Sequence, residues 1–323
     1  MNLRRHIQKL AALLLAAAIC SAALVAQNRS KLGGEPGAAT RIGFGAVGIG
    51  MGNAVSAVRS QYIVGYYNPA LTPYQVNHVG AASVGLLSLD RTLNYLSYTQ
   101  PLKPTAGLSV AFMNAGVSDI EGRDRDGNKT ETYSTSENML MLSFGIRVSP
   151  KISLGVAPKI YYYSLYKDLV STTVGFDIGA AYALSERITL GLVFQDIGSK
   201  YKWDTSNLYG LEGNVRDEDF PVRYRIASSY ANPDWGLVGS AELEAIGETI
   251  LARFGAELEI VPTFAVRAGL DQLSISDELL PKPSFGFTLT YALESWTPAI
   301  HYAVVFEPYV QSGLHMISVS GTF

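Results

Sequence analysis

ITLGLVFQDIG, residues 188–198, places Ile188, Leu190, Leu192 and Phe194 on one face of an extended chain and Thr189, Gly191 and Gln195 on the other. Side chains of a strand alternate between its two faces, so the segment reads as a strand with one apolar and one polar side. The pattern recurs along the chain. Working outward, segments at 78–89, 92–102, 105–116, 137–149, 152–164 and 171–184 precede it, and segments at 222–232, 235–246, 250–261, 263–275, 282–293, 297–308 and 312–323 follow it. With 188–198 these make 14 candidate strands of about ten residues, an even number as a closed antiparallel bacterial barrel requires.

The connections sort by length. Leu89-Asp90-Arg91, Ser149-Pro150-Lys151, Ser185-Glu186-Arg187 and Val261-Pro262-Thr263 read as tight periplasmic turns. Residues 116–136, 165–169 and 199–221 read as longer, polar outer loops. Short turns on one side and long loops on the other are a barrel pattern. Within LVGSAELEAI, Glu242 and Glu244 share one face, which predicts a wet lumen behind an apolar outer wall. Tyr161, Tyr162, Tyr163, Tyr201, Trp203, Trp235 and Trp296 lie near segment ends, where interfacial aromatic belts form. Phe323 ends the last segment, and Gly321, Val319 and Ile317 share its face.

Composition agrees with a membrane barrel. Charged residues are 16% and tyrosines number 19. After the start of the chain, no apolar run approaches the roughly 20 residues that a spanning helix needs. Arg4, Arg5 and Lys9 precede the apolar run 10–26, the pattern of a secretory signal peptide over residues 1–26, with cleavage expected after Ala23 or Ala26. The lone cysteine, Cys20, lies inside it, and Ile19 before it is a poor fit to lipoprotein processing, so the mature chain is expected to hold no disulfide and no thiolate metal site. Removing the segment leaves 22 Lys and Arg against 28 Asp and Glu, a balance of −6 that argues against a nucleic-acid partner.

RIGFGAVGIGMGNAVSAVRSQYIVGYYNPAL, residues 41–71, contains Gly43-x-Gly45-x-x-Gly48, a dinucleotide fingerprint on paper. That fingerprint needs a buried strand before it and a βαβ unit around it. The polar SKLGGEPGAATR precedes it instead, so no nucleotide cofactor is expected. Asp124-Arg125-Asp126-Gly127-Asn128 resembles the start of a calcium loop but lacks the distal Glu, and reads as a turn. Asp217-Glu218-Asp219 reads as a solvated loop. His78, His301 and His315 lie on separate segments without zinc spacing, and no nucleophile elbow is present. No catalytic residue, metal or cofactor is expected.

Gly48 to Leu71, GxGMGNAxxAV followed nine residues later by NPAL, resembles the N-terminal motif of FadL-like outer-membrane proteins, and within them the PorV/PorQ family. LNYLSYTQPL at 93–102 and GLSVAFMNAGVSDIEGRDRDGN at 107–128 extend the resemblance. So does the succession ISLGVAPKIYYYSL, VGFDIGAAYAL and LGLVFQDIG. The family usually carries acidic residues upstream of NPA, where this chain has Arg59-Ser60-Gln61. The resemblance implies a 14-stranded barrel over 76–323 with residues 27–75 folded inward as a hatch, whose motif residues are Gly48, Gly50, Gly52, Asn68, Pro69 and Ala70. It also implies that Phe323 presents a C-terminal signal to the barrel-insertion machinery, although an aromatic is usual where Gly321 stands. Two functions follow from it. One is a type IX secretion component in outer-membrane lipid, partnered by a translocon subunit or by cargo with a C-terminal sorting domain. The other is a FadL-type passive channel for hydrophobic small molecules. A polar, blocked lumen favours the first, and a continuous apolar tunnel to a kinked strand favours the second.

Overall fold

The computed structural model describes residues 32, 34–275, 279–308, 310 and 312–323. The expected signal peptide, with Cys20, lies outside the described residues. Fourteen antiparallel strands close into a barrel: β1 (Val79–Leu87), β2 (Arg91–Leu102), β3 (Ala106–Arg123), β4 (Lys129–Arg147), β5 (Ile152–Tyr166), β6 (Leu169–Ala183) and β7 (Ile188–Ile197), then, beyond an inserted hairpin, β10 (Arg223–Asn232), β11 (Leu237–Ile246), β12 (Thr249–Val261), β13 (Phe264–Ser274), β14 (Lys282–Thr290), β15 (Thr297–Val305) and β16 (Leu314–Thr322). β16 pairs with β1 from Leu314's neighbour His315 through Thr322, which removes every free edge. The inserted hairpin, β8 (Lys200–Asp204) and β9 (Val215–Asp219), is a separate two-stranded sheet.

Alternation explains which face is which. Leu190 and Leu192 are exposed on the outer wall of β7, whereas Thr189, Val193 and Gln195 are buried inside. Leu96, Phe112, Leu142, Val156, Ile178, Ile226 and Ile300 continue the outer apolar surface around the barrel. A contiguous apolar belt on closed strands suits a lipid bilayer and not water, and it places the chain in a bacterial outer membrane. No described helix is long and apolar enough to cross a membrane.

The long connections all gather at one end, which is therefore the outer one; β1 begins and β16 ends at the other, periplasmic rim. Leu89-Asp90-Arg91 sits at the outer end, opposite the turns at 149–151, 185–187 and 262–263, so its expected periplasmic placement is corrected. The β2–β3 turn at 103–105 takes the periplasmic position instead. Leu89 and Asp90 both have positive φ, 64° and 54°, so a hairpin turn could form there without a glycine or asparagine signal. The expected loop 165–169 is a two-residue turn between β5 and β6. Most of 116–136 is strand, because β3 and β4, at 18 and 19 residues, run on past the membrane as a ribbon closed at Asp124–Asn128.

The aromatic belt also needs correction. Tyr161, Tyr201 and Trp203 are buried, and Tyr163 packs edge-on against Trp203 at 5.4 Å, so these rings line the barrel mouth. Tyr162, Trp235 and Trp296 do face outward. Trp296 lies parallel to Phe323, with ring centroids 5.8 Å apart, over the space that Gly321 leaves empty. An aromatic is thus supplied beside position 321 from the turn that leads into the neighbouring strand.

Candidate functional site

Residues 34–75 thread through the lumen from the outer end to the periplasmic start of β1, as short helical turns at Ala39–Arg41, Ala46–Gly50, Val64–Tyr67 and Pro69–Tyr74. Nearly every side chain from Thr40 to Thr72 is buried. None of these helices exceeds six residues, too short to be stable alone. Their order comes from the wall around them.

Asn68 sits at the centre of the seat. Its Oδ1 accepts from the Ala70 amide at 3.0 Å, capping the turn that Pro69 opens, and its Nδ2 donates to the carbonyls of Ser56 at 2.8 Å and Ala180 at 3.2 Å. Pro69 has no N–H to lose at that first helical position. Ala70 is fully buried against Gly155, where a β-carbon would overlap the Ala70 nitrogen. Asn68→Ala is expected to cost about 2–4 kcal/mol, since it removes a cap and takes a donor from the buried Ser56 carbonyl and the part-buried Ala180 carbonyl. A thermal melt in detergent would measure it.

The three motif glycines have different constraints. Gly52 adopts φ 60°, and a β-carbon there would lie 2.6 Å from the Leu270 amide nitrogen. Gly48 faces the Tyr67 ring, whose hydroxyl lies 2.7 Å from Asn53 Oδ1. At Gly50 the nearest atom to an added β-carbon is Ala303 Cβ, at an ordinary 3.4 Å. Gly52→Ala should therefore loosen the hatch, while Gly50→Ala should leave protease resistance of the segment unchanged. Equal sensitivity of the two variants would refute this ranking.

Sequence reasoning missed the other half of the seat. Inward-facing glycines of seven strands, Gly107, Gly145, Gly155, Gly179, Gly191, Gly255 and Gly269, lie directly under hatch residues 51–73. Alternating strands with a glycine at similar depth were the available signal. It is visible only once the register is known.

The lumen wall has two characters. On β16 and β1–β4 it carries an apolar cluster: Tyr95, Met113, Met139, Met141 and Met316 share it with Phe44, whose ring stacks on Tyr95 at 5.1 Å. On β5–β13 it is ionic. Lys159 bridges Asp177 at 2.7 Å and Asp196 at 2.8 Å; Arg223 reaches Glu244 at 2.6 Å; Arg225 donates to Glu242 at 2.5 Å; Arg253 donates to Asp271 at 2.5 Å and also pairs with Glu244. Glu242 and Glu244 thus face the lumen but are buried against arginines, at 2% and 0% exposure. At these two residues the expected wet lumen is corrected: the hatch and the arginines close over them, and buried carboxylates require paired cations there.

The ionic wall also holds the hatch. Arg223 donates to the Thr40 carbonyl at 3.1 Å and Arg225 to the Asn53 carbonyl at 3.1 Å. Asn53 Nδ2 donates to Asp271 at 2.8 Å, and the Ser56 amide donates to Glu242 at 3.3 Å. Arg59 donates to the Glu186 carbonyl at 2.8 Å and lies over the Tyr74 ring.

A cavity flanks the hatch on each side. The outer one, about 260 Å³, has Ile42, Ile49, Leu251, Val305 and Leu314 on its wall with the Lys282–Glu307 pair. It abuts β13 where Gln272 takes φ 57° and two residues, Asp271 and Gln272, oppose the single Arg253 of β12, a β-bulge. The inner one, about 360 Å³, lies between hatch residues 58–62 and 74–77 and the periplasmic half of β11–β16. The two cavities share no lining residue. Over the outer mouth, β8–β9 folds inward, burying Tyr201, Trp203 and Phe220.

The remaining candidates carry no site. Asp124 Oδ1 accepts from the amides of Asp126 and Asn128, an Asx-type turn, and the Asn128 side chain holds its pKa below the ordinary carboxylate value. Asp217 pairs with Lys200 on the β8–β9 hairpin. His301 is buried against the hatch, whereas His78 bonds Tyr98 and His315 bonds Tyr302. Among the described residues no group of three or more His, Cys, Asp or Glu could hold a metal ion.

Similar folds are known. CymD, a monoaromatic hydrocarbon channel, matches with TM-score 0.63 at 14% identity over 87% of this chain and 97% of its own. The Pseudomonas putida toluene transporter TodX matches with TM-score 0.60 at 12% identity, over 87% and 96%. A Pseudomonas aeruginosa FadL homologue matches with TM-score 0.58 at 11% identity, over 87% and 98%. The chain has the fold of FadL-type outer-membrane channels. No family model and no curated protein matches it in sequence.

Proposed function

We propose that the chain is a non-enzymatic, hatch-gated outer-membrane barrel that passes small hydrophobic molecules. The observation that carries this reading is the outer cavity: its wall has an apolar side at Ile42, Ile49, Leu251, Val305 and Leu314 beside the charged Arg41, Arg253, Asp271, Lys282 and Glu307, it ends on the hatch, and it abuts the bulge in β13. Apolar pockets with a few fixed polar groups are the usual form of small-molecule sites. The fold shared with a monoaromatic hydrocarbon channel and a toluene transporter supports it. In this reading the present hatch position is the closed state.

A second reading, a PorV/PorQ-type secretion component, rests on the motif from Gly48 to Leu71 and on the blocked, ionic lumen. There the barrel would be a scaffold, and the ribbon of β3–β4 and the β8–β9 hairpin would meet protein at the outer surface. One comparison separates the two. The purified chain in liposomes should speed entry of toluene to an enclosed reporter over protein-free liposomes. No acceleration, together with recovery of sorting-domain cargo or a translocon subunit from detergent-solubilised outer membrane, would replace the first reading by the second.

A further inference from the structure

We propose that the inner cavity is a binding site, open to the periplasm, for a small aromatic carboxylate anchored by Arg267. The inference rests on the periplasmic side of the hatch and does not depend on what crosses the barrel.

Arg267 projects from β13 into the lumen, with its side chain 4% exposed. Its Nε donates to Glu257 at 2.5 Å, but Nη1 has no partner. A guanidinium carries five N–H donors in a planar fork, and a buried donor without a partner is costly; a ligand that draws the Nη1 edge round into the recess relieves that cost. The same cavity wall holds Tyr62 and His301, whose rings stack at 4.5 Å and 23°. Both imidazole nitrogens are already engaged, Nδ1 with Thr288 at 2.6 Å and Nε2 with Ser320 at 2.8 Å. His301 therefore has no nitrogen left for a ligand.

Charge selects the ligand's sign. Among the lining groups Arg59 and Arg267 are cationic and Glu257 alone is anionic, so the recess favours an anion. A planar guanidinium edge matches a carboxylate in particular. Val47, Met51, Val58 and Val238 supply apolar wall beside it, which a bare inorganic anion would leave uncovered. About 360 Å³ exceeds the need of a single ring bearing one carboxylate.

The test is calorimetric titration of the detergent-solubilised chain with benzoate and, as its uncharged analogue, benzamide. Benzoate should bind saturably with Kd near or below about 1 mM, and benzamide at least about tenfold more weakly. Arg267→Gln should weaken benzoate by about 10- to 100-fold, and Arg267→Lys should restore part of that loss. Glu257→Gln, which removes the competing carboxylate, should tighten it. Benzoate binding no better than benzamide to the unaltered chain would overturn the proposal and leave the recess hydrated only. Benzoate binding undiminished in a folded Arg267→Gln variant would overturn it too. If that variant fails to fold, the contrast between the two ligands and the Glu257→Gln result decide.

Discussion

Glu242→Leu is expected to destabilise the barrel by about 3–5 kcal/mol and to release the hatch from its ionic wall. Glu242 accepts from Arg225 Nε at 2.5 Å, lies 3.4 Å from Arg253 Nη1, and accepts the Ser56 amide at 3.3 Å. Its removal leaves two buried guanidinium groups sharing one fewer carboxylate, and a hatch amide without an acceptor. The Coulombic gain of a buried network roughly offsets its desolvation cost when complete, so the large effect comes from breaking it and not from its net strength. Limited proteolysis should then cut within 51–61, which is buried in the intact chain except at Arg59 and Ser60. The lipid-exposed Leu243→Ala is the control, since it alters the same strand without touching the network. A melting midpoint and a protease pattern unchanged in Glu242→Leu would show that the hatch is held by packing alone.

The barrel was legible because one physical rule repeats: residues alternate between lipid and lumen, so ITLGLVFQDIG exposed both its faces to inspection. All 14 barrel strands correspond to the segments marked by that alternation. What alternation does not encode is what stands opposite a face. Glu242 and Glu244 reveal that they point inward, but only the register with Arg225 on β10 and Arg253 on β12 reveals the cations they meet. Tyr201 and Trp203 sit near segment ends, as belt aromatics do, yet they belong to a hairpin that folds over the mouth. Leu89-Asp90-Arg91 is as short as the periplasmic turns, so length alone put this outer turn on the wrong side. The hatch glycines were conspicuous in sequence. Their counterparts on the wall were not, since they are spread one to a strand over seven strands and meet only when the barrel closes.

Those wall glycines lead to the second large effect. Gly155→Val should leave the barrel folded and inserted while preventing Pro69 and Ala70 from seating. A β-carbon at 155 would overlap the Ala70 nitrogen and the Pro69 carbonyl carbon, which are backbone atoms and have no rotamer to escape into. Overpacking against backbone costs about 1–3 kcal/mol, enough to shift the seated-to-unseated ratio by roughly 5- to 150-fold. Asn68 would lose its place with it, because its cap on Ala70 and its bond to the Ala180 carbonyl depend on the same approach. Single-channel recording in planar bilayers is the measurement: the unaltered chain should be closed for most of the record, and Gly155→Val should show frequent open events. Gly239→Val supplies the contrast, since a β-carbon there meets nothing within 4 Å. The outer wall of β5, with Leu154, Val156 and Ile160, is untouched, so both variants should insert alike. If Gly155→Val instead fails to insert, the hatch is needed to assemble the wall, and its role would be that of a folding core rather than of a gate.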